Sequence, residues 1–257
     1  MKTSVITKTF ALACLIFCVL SAHADPTPTP ANTNHWTGLV AAGVTLTRGN
    51  SETTLASLTA AADHKTDKNE WSLGANATYG QAQVTVDGAK IDTTTAQSAG
   101  AFVQYNHMFT DRFYCYGRVE GYHDDLADIH YRVTVSPGLG YYLIKDTNMD
   151  LCAELGPGFV SQSLGSEEEN FATVRAAEKF HWRLSDRARL WETAEIDPDL
   201  GNISNYIITS EIGVEADLNA KKNLSLQCYL DDNYNSKPAP NHVQNDLKLF
   251  VAITYKF

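Results

Sequence analysis

Several things that commonly organise a chain of this length are missing here. Beyond residue 20 no stretch stays apolar for eighteen residues, so no helix of this chain is suited to span a bilayer. No amphipathic helix of useful length follows Trp36. There is no CxxC and no metal-type cysteine spacing. Cys14 and Cys18 fall in the N-terminal apolar run, which leaves Cys115, Cys152 and Cys228 at scattered positions. These three read as small packing residues, with one disulfide open to them and one thiol left over. Basic residues are scarce, 20 against 30 acidic, and the net charge of −10 argues against nucleic acid as a partner. GxSxG, HExxH and P-loop motifs are all absent, so no catalytic residue, cofactor or metal is assigned.

What is present begins with a leader. Lys2 and Lys8 precede an apolar run from Phe10 to Leu20, and Ala22-His23-Ala24 follows as a small-residue cleavage site. Residues 1–24 therefore read as a secretory signal peptide, with the mature chain beginning at Asp25. Loss of the two lysines takes the net charge to −12. Residues 25–35 are rich in Pro, Thr and Asn and read as an extended periplasmic linker.

The last twelve residues, DLKLFVAITYKF, alternate strictly. Leu247, Leu249, Val251, Ile253, Tyr255 and Phe257 form one face, and the residues between them are mostly small or polar. Period two marks a strand. A soluble secreted sandwich would leave this oily strand as an aggregation-prone edge. A barrel in lipid gives the face a solvent and the edge a partner.

The rest of residues 36–257 repeats the pattern. Twelve alternating segments are predicted: Trp36–Thr47, Thr54–Asp63, Trp71–Gln81, Thr95–Met108, Phe113–Tyr122, Tyr131–Ile144, Leu151–Ser161, Phe171–Leu184, Ala188–Ile196, Tyr206–Leu218, Leu224–Asp232 and Asp246–Phe257. Most are long enough for a tilted strand to cross a bilayer core. An even number puts both ends on the periplasmic side. The turns there should be tight: Lys65–Glu70, Thr110–Arg112, Lys145–Asp150, Ser185–Arg187 and Asn219–Asn223. The outer connections should be longer: Val84–Thr93, His123–His130, Leu164–Asn170, Asp197–Asn205 and Asn233–Asn245, with Arg48–Glu52 a tight exception. Trp36, Trp71, Tyr79, Tyr105, Phe113, Tyr131, Tyr141, Trp182, Tyr206, Tyr255 and Phe257 cluster near strand ends, as interfacial girdles do. The expected fold is an all-β, antiparallel, up-and-down transmembrane barrel of about twelve strands.

Parity puts Arg118, Glu120, Arg132, Glu154, Arg175, Glu211, Glu215 and Lys248 in the lumen. They read either as an ionic filling of a narrow barrel or as the selectivity lining of a small-solute channel. Gly138 and Gly140 face inward and relieve crowding or let the strand curve. The same parity puts Glu178 and Glu192 on the oily face, unless a β-bulge turns them inward or the register is misread. His123, Asp124, Asp125, Asp128 and His130 share one outer loop and offer a candidate divalent-cation site. Glu167-Glu168-Glu169 reads as a solvated acidic tip or a cation bridge to lipopolysaccharide. A membrane hydrolase with a Ser–His pair on the lipid face is disfavoured, because His107 and His181 both fall on the expected lumen side.

Two resemblances add to this. Tyr255 and Phe257 end the chain as in the C-terminal signal read by the barrel-assembly machinery of bacterial outer membranes. Thr47-Arg48-Gly49-Asn50-Ser51-Glu52-Thr53-Thr54, Tyr114 through Arg132, Pro137–Gly140, Arg175-Ala176-Ala177-Glu178-Lys179-Phe180 with Leu184-Ser185-Asp186, and Tyr234-Asn235-Ser236-Lys237-Pro238 together resemble the YdiY-like family of salt-induced outer-membrane proteins, a domain of unknown function. That resemblance covers about Gly38 to Phe257. It implies an outer-membrane barrel in a Gram-negative-type envelope, in contact with lipid and lipopolysaccharide, and supplies no catalytic residues. Members of the family often carry Gly where this chain has Asp128. The functional expectation is a narrow pore or structural barrel linked to osmotic or salt conditions, with a barrel that binds lipid or surface ligands through its outer loops as the alternative.

Overall fold

The computed structural model describes residues 36–47, 52–86, 89–240 and 242–257. The expected leader, linker and most of the first outer turn lie outside these residues. Among the described residues there are twelve strands: β1 Trp36–Thr47, β2 Glu52–Lys65, β3 Asn69–Val86, β4 Ala89–Met108, β5 Phe113–Asp124, β6 Ile129–Lys145, β7 Met149–Leu164, β8 Glu167–Arg183, β9 Ala188–Pro198, β10 Tyr206–Asp217, β11 Leu224–Asn235 and β12 Asn245–Lys256. Each pairs antiparallel with its sequence neighbours, and β12 closes on β1 to make a barrel. The secreted sandwich is thereby excluded.

Closure turns the usual burial pattern inside out. On β12 Leu249, Val251 and Ile253 are exposed on the outer wall, whereas Phe250, Ala252 and Thr254 are buried inside. On β7 Leu155 and Phe159 point outward, and Cys152, Glu154 and Val160 inward. An outer face this apolar is stable only in lipid, where the closed ladder also leaves few backbone groups without partners.

Strand lengths depart from the expectation on one side. The predicted outer loops Val84–Thr93 and Leu164–Asn170 are largely strand, since β3 and β4 stay paired out to Val86 opposite Ala89, and β7 and β8 out to Leu164 opposite Glu167. Val84, Thr85 and Val86 on β3 and Ile91, Thr93, Thr94 and Thr95 on β4 are β-branched residues that favour strand. Hairpins can rise above the bilayer on ladder bonds alone. The tight turns expected at the other end are there.

Inside the wall, large rings lie over glycines on the paired strand. A Cβ at Gly140 would strike Tyr114, and one at Gly138 would strike Tyr116. Phe102 lies likewise over Gly74 and Trp191 over Gly213. Each is a direct register pair, so the glycine supplies the room its neighbour's ring needs.

The β8–β9 register runs unbroken, with Glu178 opposite Ala194 and Glu192 opposite Phe180. Ala177 is buried and Lys179 bonds inside the barrel, so Glu178 lies on the outer wall; Trp191 bonds inside, so Glu192 does too. No bulge rescues them. Each carboxylate facing lipid costs free energy. Glu178→Leu and Glu192→Leu should each raise the unfolding free energy of the vesicle-embedded barrel by about 1 kcal/mol, read from the urea midpoint, with a lowered midpoint counting against a lipid-facing position.

Candidate functional site

The interior is where side chains of opposite sign are forced together. At its centre Glu154 on β7 is buried, and its carboxylate accepts hydrogen bonds from Gln104 on β4 (2.9 Å), Tyr114 on β5 (2.9 Å), and Lys179 (2.9 Å) and Arg175 (2.8 Å) on β8. Arg175 also donates to Glu195 on β9 at 2.8 Å through Nε. Lys179 reaches back to Gln104 at 3.1 Å. One network thus joins β4, β5, β7, β8 and β9. Taking two charges out of water is expensive, and only this density of partners compensates.

The eight charged residues singled out from the sequence fall into several groups, of which that of Arg118 touches the centre through Gln104 at 3.4 Å. Glu154 and Arg175 form the centre. Arg118 donates to Glu120 at 3.0 Å through Nε and lies over the Phe102 ring. Arg132 donates to Gln162 at 2.7 Å, and Gln162 to Glu169 at 2.9 Å. Towards the periplasmic end Glu215 meets Arg189 at 2.6 Å, Gln227 at 3.0 Å and Lys256, while Lys256 also holds Asp217 at 2.8 Å. Glu211 accepts from the Trp191 indole at 2.5 Å. Lys248 belongs to the outer mouth. Sequence reasoning passed over Gln104, Tyr114, Lys179 and Glu195, which do as much of the bonding.

The opposite wall is different in kind. β1 to β3 present Ala41, Gly43, Ser57, Thr59, Asn76 and Thr78 inward, and β12 adds Ala252 and Thr254. The long inward side chains come from β4 to β12, Phe250, Lys248 and Lys256 of β12 among them, and the short ones mainly from β1 to β3.

The mouth is crossed. Lys248 on β12 holds Asp124 on β5 at 3.3 Å, five strand positions away around the ring. Asp124 is 2% exposed and also accepts from the Tyr122 hydroxyl (2.8 Å) and from the amides of Leu126 and Ala127. Ala239, in the connection between β11 and β12, is buried against Ile129 and Leu164 on the far rim. That connection therefore lies over the opening.

The candidate cation loop does not converge. His123 pairs with Asp125 (3.1 Å), His130 with Asp128 (3.6 Å), and Asp124 is committed to Lys248. Among the described residues no group of three or more His, Cys, Asp or Glu side chains is placed to hold a metal ion. Cys115, Cys152 and Cys228 are free thiols.

One assignment is corrected. His107 was expected in the lumen. Gln104, Asn106 and Met108 take the buried inner positions of β4, so His107 stands on the outer wall near the periplasmic rim. Its Nδ1 lies 3.0 Å from Asn69 Oδ1. His181 sits on the inner side near the same rim, with Nδ1 3.0 Å from Asp150.

A model of a protein family described as of unknown function, DUF481, matches residues 40–257. The chain belongs to the DUF481 family. The YdiY-like resemblance agrees with this. Among solved structures, the DUF481 barrel is similar to an outer membrane channel from Pseudomonas putida F1, with 10% identity over 91% of this chain and 100% of that chain at a TM-score of 0.50. It is also similar to the translocator domain of the autotransporter NalP from Neisseria meningitidis, with 17% identity over 89% and 90% of the two chains at a TM-score of 0.48. The NanC porin matches with 8% identity over 85% and 98% at 0.47. At these identities the likeness is one of fold. No curated protein matches the DUF481 chain.

Proposed function

We propose that this DUF481 protein is a narrow outer-membrane channel for small solutes, exported by its cleaved leader and assembled through its last strand. The observation that carries the reading is the division of the inner wall. The Glu154 network and the other long side chains of β4 to β12 fill most of the ring, whereas β1 to β3 line the remainder with short ones such as Ala41, Ser57 and Thr78. A passage along that short-chained lining is off-centre and polar. Among the described residues Glu211 and its register neighbour Asp231 face the lumen without an ion pair, although Lys248 is the register partner of Asp231, and the two carboxylates favour cations over anions. The osmotic setting implied by the family resemblance fits a small-solute pore, and protein abundance followed across a salt series tests that part. Contact with lipopolysaccharide at the rim is the expected environment of the outer hairpins.

The test is single-channel recording in planar bilayers with protein shown to be folded by its faster gel mobility before boiling. A small conductance with cation preference is expected, and Glu211→Gln with Asp231→Asn should lower that preference. Silent bilayers from folded protein would sink the channel reading in favour of a structural barrel.

A further inference from the structure

The correction of His107 brings three side chains into one row on the outer wall. Asn69 on β3, His107 on β4 and Cys115 on β5 are consecutive register partners: Asn69 is opposite His107, and His107 is opposite Cys115. Cys115 shares the outward face, since Tyr114 and Tyr116 on either side of it are buried inside. Directly opposed side chains on one face of an antiparallel pair have Cβ atoms about 5 Å apart, so the Cys115 thiol and the His107 imidazole stand side by side, not hydrogen-bonded at rest but close enough for a rotation of the thiol to join them. Asn69 Oδ1 accepts from the Tyr105 hydroxyl at 2.8 Å and lies 3.0 Å from His107 Nδ1. An amide oxygen only accepts, so Nδ1 is the nitrogen that donates to Asn69, and in the neutral imidazole the free lone pair is on Nε2. Nucleophile, base and a group that fixes the base's tautomer is the logic of acyl transfer.

The depth of the row says what it would meet. Trp71 and Tyr105 pack at 4.7 Å and Phe109 and Phe113 at 5.6 Å around it, and His107 sits edge-on to Phe109 at 5.4 Å. Rings gathered at one strand end mark the headgroup zone of the bilayer. The glycerol ester carbonyls of a phospholipid lie at that level, next to water. This rim carries the start of β1, the end of β12 and the tight turns, so the leaflet is the periplasmic one.

We propose that Cys115, His107 and Asn69 form a thiol acyl-transfer site for ester-linked phospholipid of the periplasmic leaflet. Cys115 Sγ attacks an ester carbonyl carbon while its proton passes to His107 Nε2. The ester C–O bond breaks, His107 returns the proton to the departing glycerol oxygen, and a lysophospholipid leaves a thioester on Cys115. Water then attacks the thioester. His107 takes a proton from it and delivers one to Sγ, releasing the fatty acid and restoring the thiol. Asn69 is a positioning residue that acts through His107. The activity goes beyond the channel reading, and a silent barrel would leave it standing.

The experiment uses the full barrel refolded into phosphatidylcholine vesicles with a fluorescent acyl chain. Lysophospholipid release is expected, together with a hydroxylamine-sensitive acyl adduct that mass spectrometry places on Cys115. Cys115→Ala and His107→Phe should abolish both, whereas Cys228→Ala, which alters the other outward-facing thiol, should change neither. Asn69→Ala should slow turnover about tenfold and shift its pH profile, because the imidazole loses its fixed tautomer. Iodoacetamide should alkylate Cys115 about tenfold faster than Cys228, and His107→Phe should remove the difference. Folded protein that releases no lysophospholipid, or that alkylates both thiols at one rate with and without His107, overturns the proposal.

Discussion

Arg175→Ala is expected to lower the unfolding free energy of the barrel by about 3–5 kcal/mol, read as the urea midpoint of the fast-migrating form in vesicles. The side chain is 1% exposed and serves Glu154 at 2.8 Å and Glu195 at 2.6 Å, with the Tyr116 ring 5.2 Å from its guanidinium carbon. Its removal strands two carboxylates and leaves Glu154 with one cation, Lys179, beside the neutral donors Gln104 and Tyr114. Most of the loss would come from that stranding. Arg175→Leu combined with Glu154→Leu should therefore cost less than the sum of the single changes, because fewer charges are left unpaired. A loss under about 1 kcal/mol for Arg175→Ala would mean that water, not protein, solvates this centre in the folded state.

Shortening the connection between β11 and β12 should have the largest effect on flux. Deleting residues 237–243 removes Ala239 from its seat on Ile129 and Leu164 and uncovers the mouth. Exposed connections tolerate such cuts, and closing a shorter loop changes the entropy only modestly. Conductance should rise severalfold with ion preference retained, because the carboxylates below are untouched. An unchanged conductance from correctly folded deletion protein would place the resistance at the level of Glu154 instead, and Lys179→Ala should then raise it.

The barrel was legible because period-two alternation is strong when one face meets lipid. β12, with its exposed Leu249, Val251 and Ile253, shows the rule in its cleanest form. Parity also places Glu154 and Arg175 on the inner side, but parity says nothing about which inner residues meet. That depends on how the strands are staggered around the ring, a property of the closed sheet and not of any one segment. Gln104 could not be paired with Glu154 from the sequence, since 50 residues and two intervening strands separate them. Outer strand ends were set too early because polar residues at the tips of β3, β4, β7 and β8 read as loop, although the ladder continues through them. His107 was assigned to the wrong face because no lone histidine shows which parity it follows; the inward bonding of Gln104 and Asn106 decides it. The glycine rows carried a signal that was only half used. Gly138 and Gly140 announced free space, and the register shows Tyr116 and Tyr114 filling it.

The bond between Lys248 and Asp124 spans 124 residues of sequence. One partner belongs to the fifth strand made and the other to the last. No intermediate that lacks β12 can form this bond, whatever else it has completed, and contacts of such long range are late and slow to form. A nascent barrel therefore reaches the membrane with its outer end unlatched. The latch sets only as the final strand comes home against β1, where the ladder is short, Leu39–Gly43 against Ala252–Lys256. Closing the ring and shutting the mouth become a single step in time, so a chain stalled before its last hairpin would be a leak in the envelope as well as an unfinished protein.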